Sequence, residues 1–197
     1  NGGAETMLQF YSVRNYPKYS RLSMMNSIIG DPFQFALAMP CPFVITMGAI
    51  IQDHELARTY AELKAARATT NSTSYMARFQ PGLQDKKRDW DSVLHAFDEG
   101  KGTIRMYHQI GLLSTKADAS RAQYAVRAAW RARGCDLTRD YYLQHQAFAA
   151  TMPMTLGQPL QDDLMAFGRA YTKTVDNAVM TSPLIAEWKG TKTPMIT

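Results

Sequence analysis

The stretch MPCPFVITMGAII, residues Met39 to Ile51, decides how the first half of the chain is interpreted. Two prolines flank Cys41, and an almost continuous apolar run follows them. A proline cannot donate a hydrogen bond to a sheet ladder, so Pro40 and Pro42 fit the entrance of a strand. A run that is apolar on both faces is typical of a buried strand. We therefore predict a central strand here, with Cys41 packed beneath its entrance.

Two elements are predicted before this strand. The segment LQFYSVRNYPKYS alternates from Leu8 onward, which predicts a strand that Pro17 ends. The segment SRLSMMNSIIGD has apolar residues at helical spacing, with Ser20 as a possible N-cap and Gly30 as a stop. The chain therefore begins with a predicted strand and helix.

An amphipathic helix is predicted after the strand, in HELARTYAELKAARATT. Asp53 stands where a helix N-cap is expected. Leu56, Tyr60 and Leu63 fall on one stripe, and charged residues fall off it. This pattern predicts that the three large side chains form the buried face of the helix.

The middle of the chain repeats the alternation of helix and strand. LQDKKRDWDSVLHAFDEGKG has helical spacing and ends at Gly100 and Gly102, and TIRMYHQIGLLS alternates as a strand does. Thr115 and Asp118 form a capping box for the next helix, which Gly134 ends. CDLTR is a short strand candidate, and two short helices follow, separated by Pro153 and Gly157. This order predicts an α+β fold, a small and mainly antiparallel sheet of about four strands with helices packed on one face.

Composition narrows the class of protein. The chain has 197 residues, a formal net charge of +5 and 46% hydrophobic residues, which is typical of a folded globular chain. No apolar run approaches the roughly 20 residues that a membrane-spanning helix needs. No secretory signal is present, so we expect a cytoplasmic protein. With two cysteines, Cys41 and Cys135, reduced buried thiols are the default expectation.

Motifs for catalysis, nucleotides or metals are missing from the sequence. HAFDEGKGT contains a Gly-Lys pair but lacks the first glycine and the Ser or Thr of a phosphate-binding loop. We therefore expect no catalytic residue, no bound cofactor and no metal in this chain. One weak alternative is an enzyme that uses Cys41 as a nucleophile with His108 or His145. The histidines are isolated from one another: His54, His95, His108 and His145.

A basic helix is the main candidate for a contact surface. The candidate residues are Arg121, Arg127, Arg131 and Arg133. A cluster of this kind is compatible with nucleic acid. A second basic run, Lys86 to Arg88, is flanked by aspartates, and no exposed aromatic residues are expected between the arginines. Both observations argue against a platform on which bases stack.

Several short segments, taken in order, resemble one protein family. They run FYSVRNYPKYS, IIGD, MPCPFVIT, DWDSVLHAF, GTIRMYHQIGLL, QAFAATMPM and AEWKGTKTP. In this order they are similar to the TraC-like ATPases of F-type conjugative type IV secretion systems, over about residues 10–194. One departure is Met152, where the family usually has leucine, and this exchange is conservative.

The resemblance implies how the chain is organised and where it acts. Residues 8–183 are expected to be an α+β domain and 184–197 the lead-in to a motor domain, while the sequence NGGAETM of residues 1–7 by itself suggests a vector-derived remnant or linker. ATP and Mg²⁺ would bind only to that motor. The domain itself would be a non-catalytic docking or assembly module for pilus assembly and DNA transfer, peripheral at the inner membrane. Its expected partners are inner-membrane secretion components, its own motor and neighbouring subunits; the alternative is a nucleic-acid-binding module.

Overall fold

Five strands, six α-helices and a short 3-10 helix, Tyr75–Arg78, are the main elements of the described part of the chain. The computed structural model describes residues 6–20, 25, 28, 39–80 and 82–182. The strands are β1 (Thr6–Asn15), β2 (Phe43–Ile51), β3 (Thr103–Thr115), β4 (Asp136–Arg139) and β5 (Tyr171–Thr174). The helices are α1 (His54–Thr73), α2 (Gly82–Asp98), α3 (Ala119–Arg131), α4 (Gln144–Thr151), α5 (Gln158–Ala166) and α6 (Val175–Met180).

The strands form one antiparallel sheet with β3 at its centre. The order is β2-β3-β1-β4, and β5 also pairs with β3. The strand β1 pairs with residues 109–115 of β3, and β5 pairs with residues 103–106. Because β2 pairs with residues 104–112, it occupies the other edge of β3. The α+β prediction is confirmed, with five strands in place of about four.

The predicted central strand, β2, lies instead at an edge of the described sheet. Within the described residues it pairs with β3 alone. Ile51 at its end is 86% exposed, and Val44 is also exposed. The centre belongs to β3, where nine residues between Thr103 and Ser114 are buried. An apolar run therefore marked a strand correctly, but it did not reveal how many neighbours that strand has.

Helices cover both faces of the sheet, rather than one as expected. Successive residues of a strand point to opposite faces. The His108 ring contacts Trp130 of α3, with ring centroids 5.2 Å apart. The side chains on either side of His108 point the other way: the Tyr107 hydroxyl donates to the Ala150 carbonyl of α4 at 2.8 Å, and the Gln109 amide donates to the Ala147 carbonyl at 2.7 Å. The sheet is therefore the middle layer.

Helix α1 begins as predicted but buries a different face. The Asp53 side chain accepts a hydrogen bond from the Leu56 backbone N–H at 3.0 Å, which confirms the N-cap. The buried residues are small ones: Ala57, Ala61, Ala65 and Ser72. Leu56 and Leu63 are 73% and 50% exposed. The predicted buried stripe was wrong for Leu56 and Leu63, because Phe97 of α2 packs in one cluster with Ala57 and Ala61. The third member, Tyr60, does contact α2, where its ring meets that of Trp90.

Most of the other predicted boundaries agree with the structure. Gly100 and Gly134 both have positive φ, 75° and 77°, as glycines that follow helices often do. The Asp118 N–H donates to the Thr115 hydroxyl at 3.2 Å, although Asp118 itself precedes the first residue of α3. The strand β5 and the helix α6 were missed, since four and six residues are too few to show a period.

Two predictions fall wholly or largely outside the described residues. The helix expected between Ser20 and Gly30 is described only at Met25 and Ile28, which are fully buried in the core against α3. The segments 1–5 and 183–197, which include nearly all of the expected N-terminal linker and the expected lead-in, lie outside the described part. The proposed domain boundaries therefore stay predictions.

Candidate functional site

The outer surface of α3 carries the basic residues that the sequence singled out. Val126 and Trp130 are completely buried and fix the inward face of the helix. Arg121 and Arg131 lie on the outward side, about 15 Å apart along the axis at 1.5 Å per residue. Arg133 is also exposed, just beyond the end of the helix. We call Arg121, Arg127, Arg131 and Arg133 the arginine surface.

A hollow of about 530 Å³ lies on this surface, and two of the four arginines line it. The small side chains of Ala128 and Ala132 leave the space open. The complete lining is Tyr124, Arg127, Ala128, Arg131 and Ala132. The structure thus brings Arg127 and Arg131 together, while Arg121 and Arg133 are outside the hollow.

An exposed aromatic residue lies among these arginines, contrary to the expectation from sequence. Tyr124 is 72% exposed and lines the hollow with Arg127. Arg131 is 3.3 Å from the Asp136 carboxylate, but both side chains are well solvated. Such a surface pair contributes only about 0–1 kcal/mol, so it does not prevent Arg131 from binding another anion. Binding of a partner by the arginine surface stays a prediction.

The proposed Cys41–His catalytic pair receives no geometric support. Cys41 packs against the main core cluster, and burial, helped by the negative charge of Asp118, raises the pKa of its thiol. His108 lies in the core, where burial lowers its pKa to about 4. Among the described residues, neither ring nitrogen of His108 has a hydrogen-bond partner. His145, the other histidine considered, is an exposed residue of α4. A thiol with raised pKa and an unpartnered imidazole do not form an activated nucleophile.

A partly buried lysine near this histidine, Lys173, was missed from the sequence. The Lys173 Nζ lies 3.1 Å from the centroid of the Tyr16 ring and 2.9 Å from the Thr181 hydroxyl, to which it donates. The ring face favours the charged amine, but removal from water has the larger effect and lowers the pKa of Lys173 to about 7. Since Tyr16 and Lys173 are far apart in sequence, no local pattern could have predicted their contact.

A second buried polar cluster joins β1 to the region after β4. The Arg169 guanidinium is 2.7 Å from the Asp140 carboxylate, which is almost fully buried. The Ser12 hydroxyl donates to the same carboxylate at 2.5 Å. Burial raises the pKa of Asp140, while the Ser12 hydrogen bond and the Arg169 charge act against that rise. The Gln144 side chain donates to the Asp140 carbonyl and accepts from the Phe10 N–H at 3.0 Å, so the start of α4 is held against the cluster and β1.

Two further findings concern metals and membranes. Within the described residues, no three His, Cys, Asp or Glu side chains are grouped so that they could hold a metal ion. Over the same part of the chain, no helix combines the length and the apolar character needed to cross a membrane.

Comparison with known proteins places the chain in one class, that of TraC-like proteins of F-type conjugation systems. A family described as TraC protein matches residues 4–156, so the chain belongs to that family. It is similar to Protein TraC of Escherichia coli strain K12, with 20% identity over 185 residues. The match covers 92% of this chain and 21% of that protein. The chain therefore spans about a fifth of the length of its curated relative.

Proposed function

We propose that this chain is a non-catalytic docking or assembly module of a conjugation ATPase, acting in pilus assembly and DNA transfer. The observation that carries the proposal is the orientation of α1, which turns its alanines inward and leaves Leu56 and Leu63 exposed. Membership of the TraC family supplies the system in which the module acts. The module lies at the cytoplasmic face of the inner membrane, and ATP and Mg²⁺ bind elsewhere in the whole protein.

The surface proposed for docking is the outer α1 face, defined as Leu56 and Leu63. Burying one leucine side chain contributes about 1.5–3 kcal/mol, so this face can stabilise an interface if it is covered. Its occupant in this proposal is the rest of the same protein, including the motor. The length of the relative supports this choice, because about four-fifths of a chain of that size lies outside the matched segment. Neighbouring subunits and inner-membrane secretion components then bind other surfaces, among them the arginine surface.

A binding measurement tests this proposal directly. The 197-residue chain, with Leu56 and Leu63 both changed to Ser, is titrated against the separately produced remainder of the full-length protein. We expect at least roughly tenfold weaker association than for the parent chain, which is about 1.4 kcal/mol. The control is Met154→Ser, which removes a fully exposed apolar side chain from the segment after α4 and leaves the affinity unchanged. Equal affinity of all three proteins would contradict the proposed docking face.

The proposed lack of catalysis has its own test. The isolated chain should hydrolyse no ATP above the rate of a buffer control, because its sequence contains no phosphate-binding loop. ATP turnover in a preparation freed of contaminating ATPases would overturn this part of the proposal. Such turnover must disappear when the chain is removed by immunodepletion.

A second candidate function, nucleic-acid binding, is favoured by one specific observation. Tyr124 is exposed between Arg121 and Arg127, so the arginine surface combines positive charge with an aromatic ring. Charge attracts the phosphate backbone, and a ring can stack on an unpaired base. We keep this as the alternative to docking because a single aromatic residue and an adjacent Asp136 make a limited platform.

A further inference from the structure

A cavity of about 480 Å³ lies between α2 on one side and β5 and α6 on the other. Lys173 lines it from β5, and Asn177 and Thr181 line it from α6 and the residue after α6. The wall contributed by α2 includes Asp85 and Asp89. The cavity is therefore lined by apolar as well as polar and charged side chains. It is large enough for a small molecule, since one water takes up only about 30 Å³ in the liquid.

The amine of Lys173 differs from the ion-paired lysines of the described chain. The Nζ donates to a neutral hydroxyl, that of Thr181, and packs on the Tyr16 ring. Within the described residues, no carboxylate lies within ion-pair distance of it. By contrast, Lys101 lies 3.1 Å from the Glu99 carboxylate and 2.9 Å from that of Asp176.

We propose that Lys173 is a modification site, whose amine takes an acyl group from a small acyl phosphate that enters this cavity. In this step the nitrogen lone pair attacks the acyl carbon and a C–N bond forms. The bond from that carbon to the phosphate oxygen breaks, phosphate leaves with the electron pair, and one amine proton passes to phosphate. No oxidant or reductant is needed.

The surroundings of Lys173 favour the product of this step. An amide carries no charge, so burial no longer opposes it. Its N–H can keep the hydrogen bond to the Thr181 hydroxyl. Tyr16 belongs to the same cavity lining, and its covered hydroxyl has no hydrogen-bond partner among the described residues. In this proposal that hydroxyl turns to donate to the new carbonyl oxygen. A hydrogen bond from the previously unpaired Tyr16 hydroxyl would stabilise the acylated form.

The protonation of the groups around Lys173 agrees with a reactive amine near neutral pH. Burial lowers the pKa of Lys173 to about 7, so about half of the molecules carry a neutral amine there. Burial also raises the pKa of Cys135 to about 11 and lowers that of His108 to about 4, which leaves both of these neighbours neutral. The charged residues that line the cavity are Lys18, Asp85 and Asp89. By contrast, hydrogen bonds to Asp176 and Glu99 raise the pKa of Lys101.

The test is site-resolved acylation of the folded chain by acetyl phosphate, from about pH 6 to about pH 10, followed by peptide mass spectrometry. We expect the rate at Lys173 to be half-maximal near pH 7 and, at that pH, to exceed the rate at Lys101 by roughly tenfold or more. Lys64 serves as a second internal reference. Equal rates at all three lysines, or a Lys173 rate that still rises through about pH 10, would overturn the proposal.

A matched variant tests the contribution of the cavity wall separately from the reactivity of the Lys173 amine. Tyr16→Phe removes the unpartnered hydroxyl and keeps the ring, so we expect acylation at Lys173 to slow several-fold while the rate at Lys64 stays unchanged. Circular dichroism of the variant establishes that it is folded, and Lys173→Arg confirms the assignment of the labelled peptide. An unchanged rate at Lys173 in a folded Tyr16→Phe protein would show that the cavity does not receive the acyl carbonyl.

Discussion

The ring of Tyr107 lies directly on the backbone of Gly48, its cross-strand partner in β2. A Cβ atom at position 48 would be 1.9 Å from Cε1 of that ring. The Tyr107 hydroxyl, at the far end of the same ring, donates to the Ala150 carbonyl of α4 at 2.8 Å. The missing side chain at Gly48 therefore allows one tyrosine to connect the edge strand, the central strand and a helix on that face.

Changing Gly48→Ala should destabilise the fold by about 3 kcal/mol, because the ring or the strand must move. The measurement is the free energy of unfolding from urea titration. Gly82→Ala is the control: nothing lies within 4 Å of a Cβ built there, so it should be neutral or slightly stabilising. In a Tyr107→Ala background the cost of Gly48→Ala should largely disappear. If the cost persists in that background, the ring is not its cause.

The buried Asp140–Arg169 pair should be far more important for stability than any surface pair. Replacing Asp140 by Ala leaves the guanidinium of Arg169 without its partner and should cost about 3–5 kcal/mol in the free energy of unfolding. Arg58→Ala breaks exposed pairs with Glu62 and Asp98 and should cost under about 1 kcal/mol. Similar losses for Asp140→Ala and Arg58→Ala would contradict this ranking.

Stability should fall on mild acidification because of His108. Its pKa is lowered from 6.5 to about 4 in the folded chain, so between these values the unfolded state binds more protons. The free energy of unfolding should therefore decrease as the pH falls from 6.5 towards 4, by roughly 3 kcal/mol in total. His108→Leu should remove this slope. His95→Gln, at a side chain that is 75% exposed, should retain it, and an unaltered slope in His108→Leu would refute the assignment.

The arginine surface allows docking and nucleic-acid binding to be distinguished. If nucleic acid binds there, changing Arg127 and Arg131 to Gln should weaken DNA binding and reduce the salt slope by about one for each lost phosphate contact. We expect the other outcome, with the double variant behaving like the parent towards DNA. Fluorescence anisotropy at two salt concentrations measures both quantities.

The control for this titration removes the same charge elsewhere: Lys86 and Lys87, both changed to Gln. Sub-micromolar, salt-sensitive binding that is lost in the arginine variant and kept in the lysine variant would establish nucleic acid as the partner. Tyr124→Ala then shows whether base stacking contributes, which would be about 1–3 kcal/mol for each stacked base.

The sequence by itself determined the elements and the family. Local signals act within a few residues. This is why the sequence correctly predicted the Asp53 cap, the glycines that follow α2 and α3, and the strand β3. Ordered segments such as MPCPFVIT and DWDSVLHAF led to the TraC family, which the family match confirmed. Short elements such as β5 carry too few residues for a periodic signal.

Only the tertiary structure decided which surfaces are buried. Periodicity reports which residues share a face but not which face meets another element, so the stripe of Leu56 and Leu63 was assigned inward although α2 packs on the alanines. In the same way, the apolar pattern of β2 does not report how many strands pair with it, and the structure places it at an edge of the described sheet. The contact of Tyr16 with Lys173 joins residues far apart along the chain, and burial of that amine comes from the fold around it.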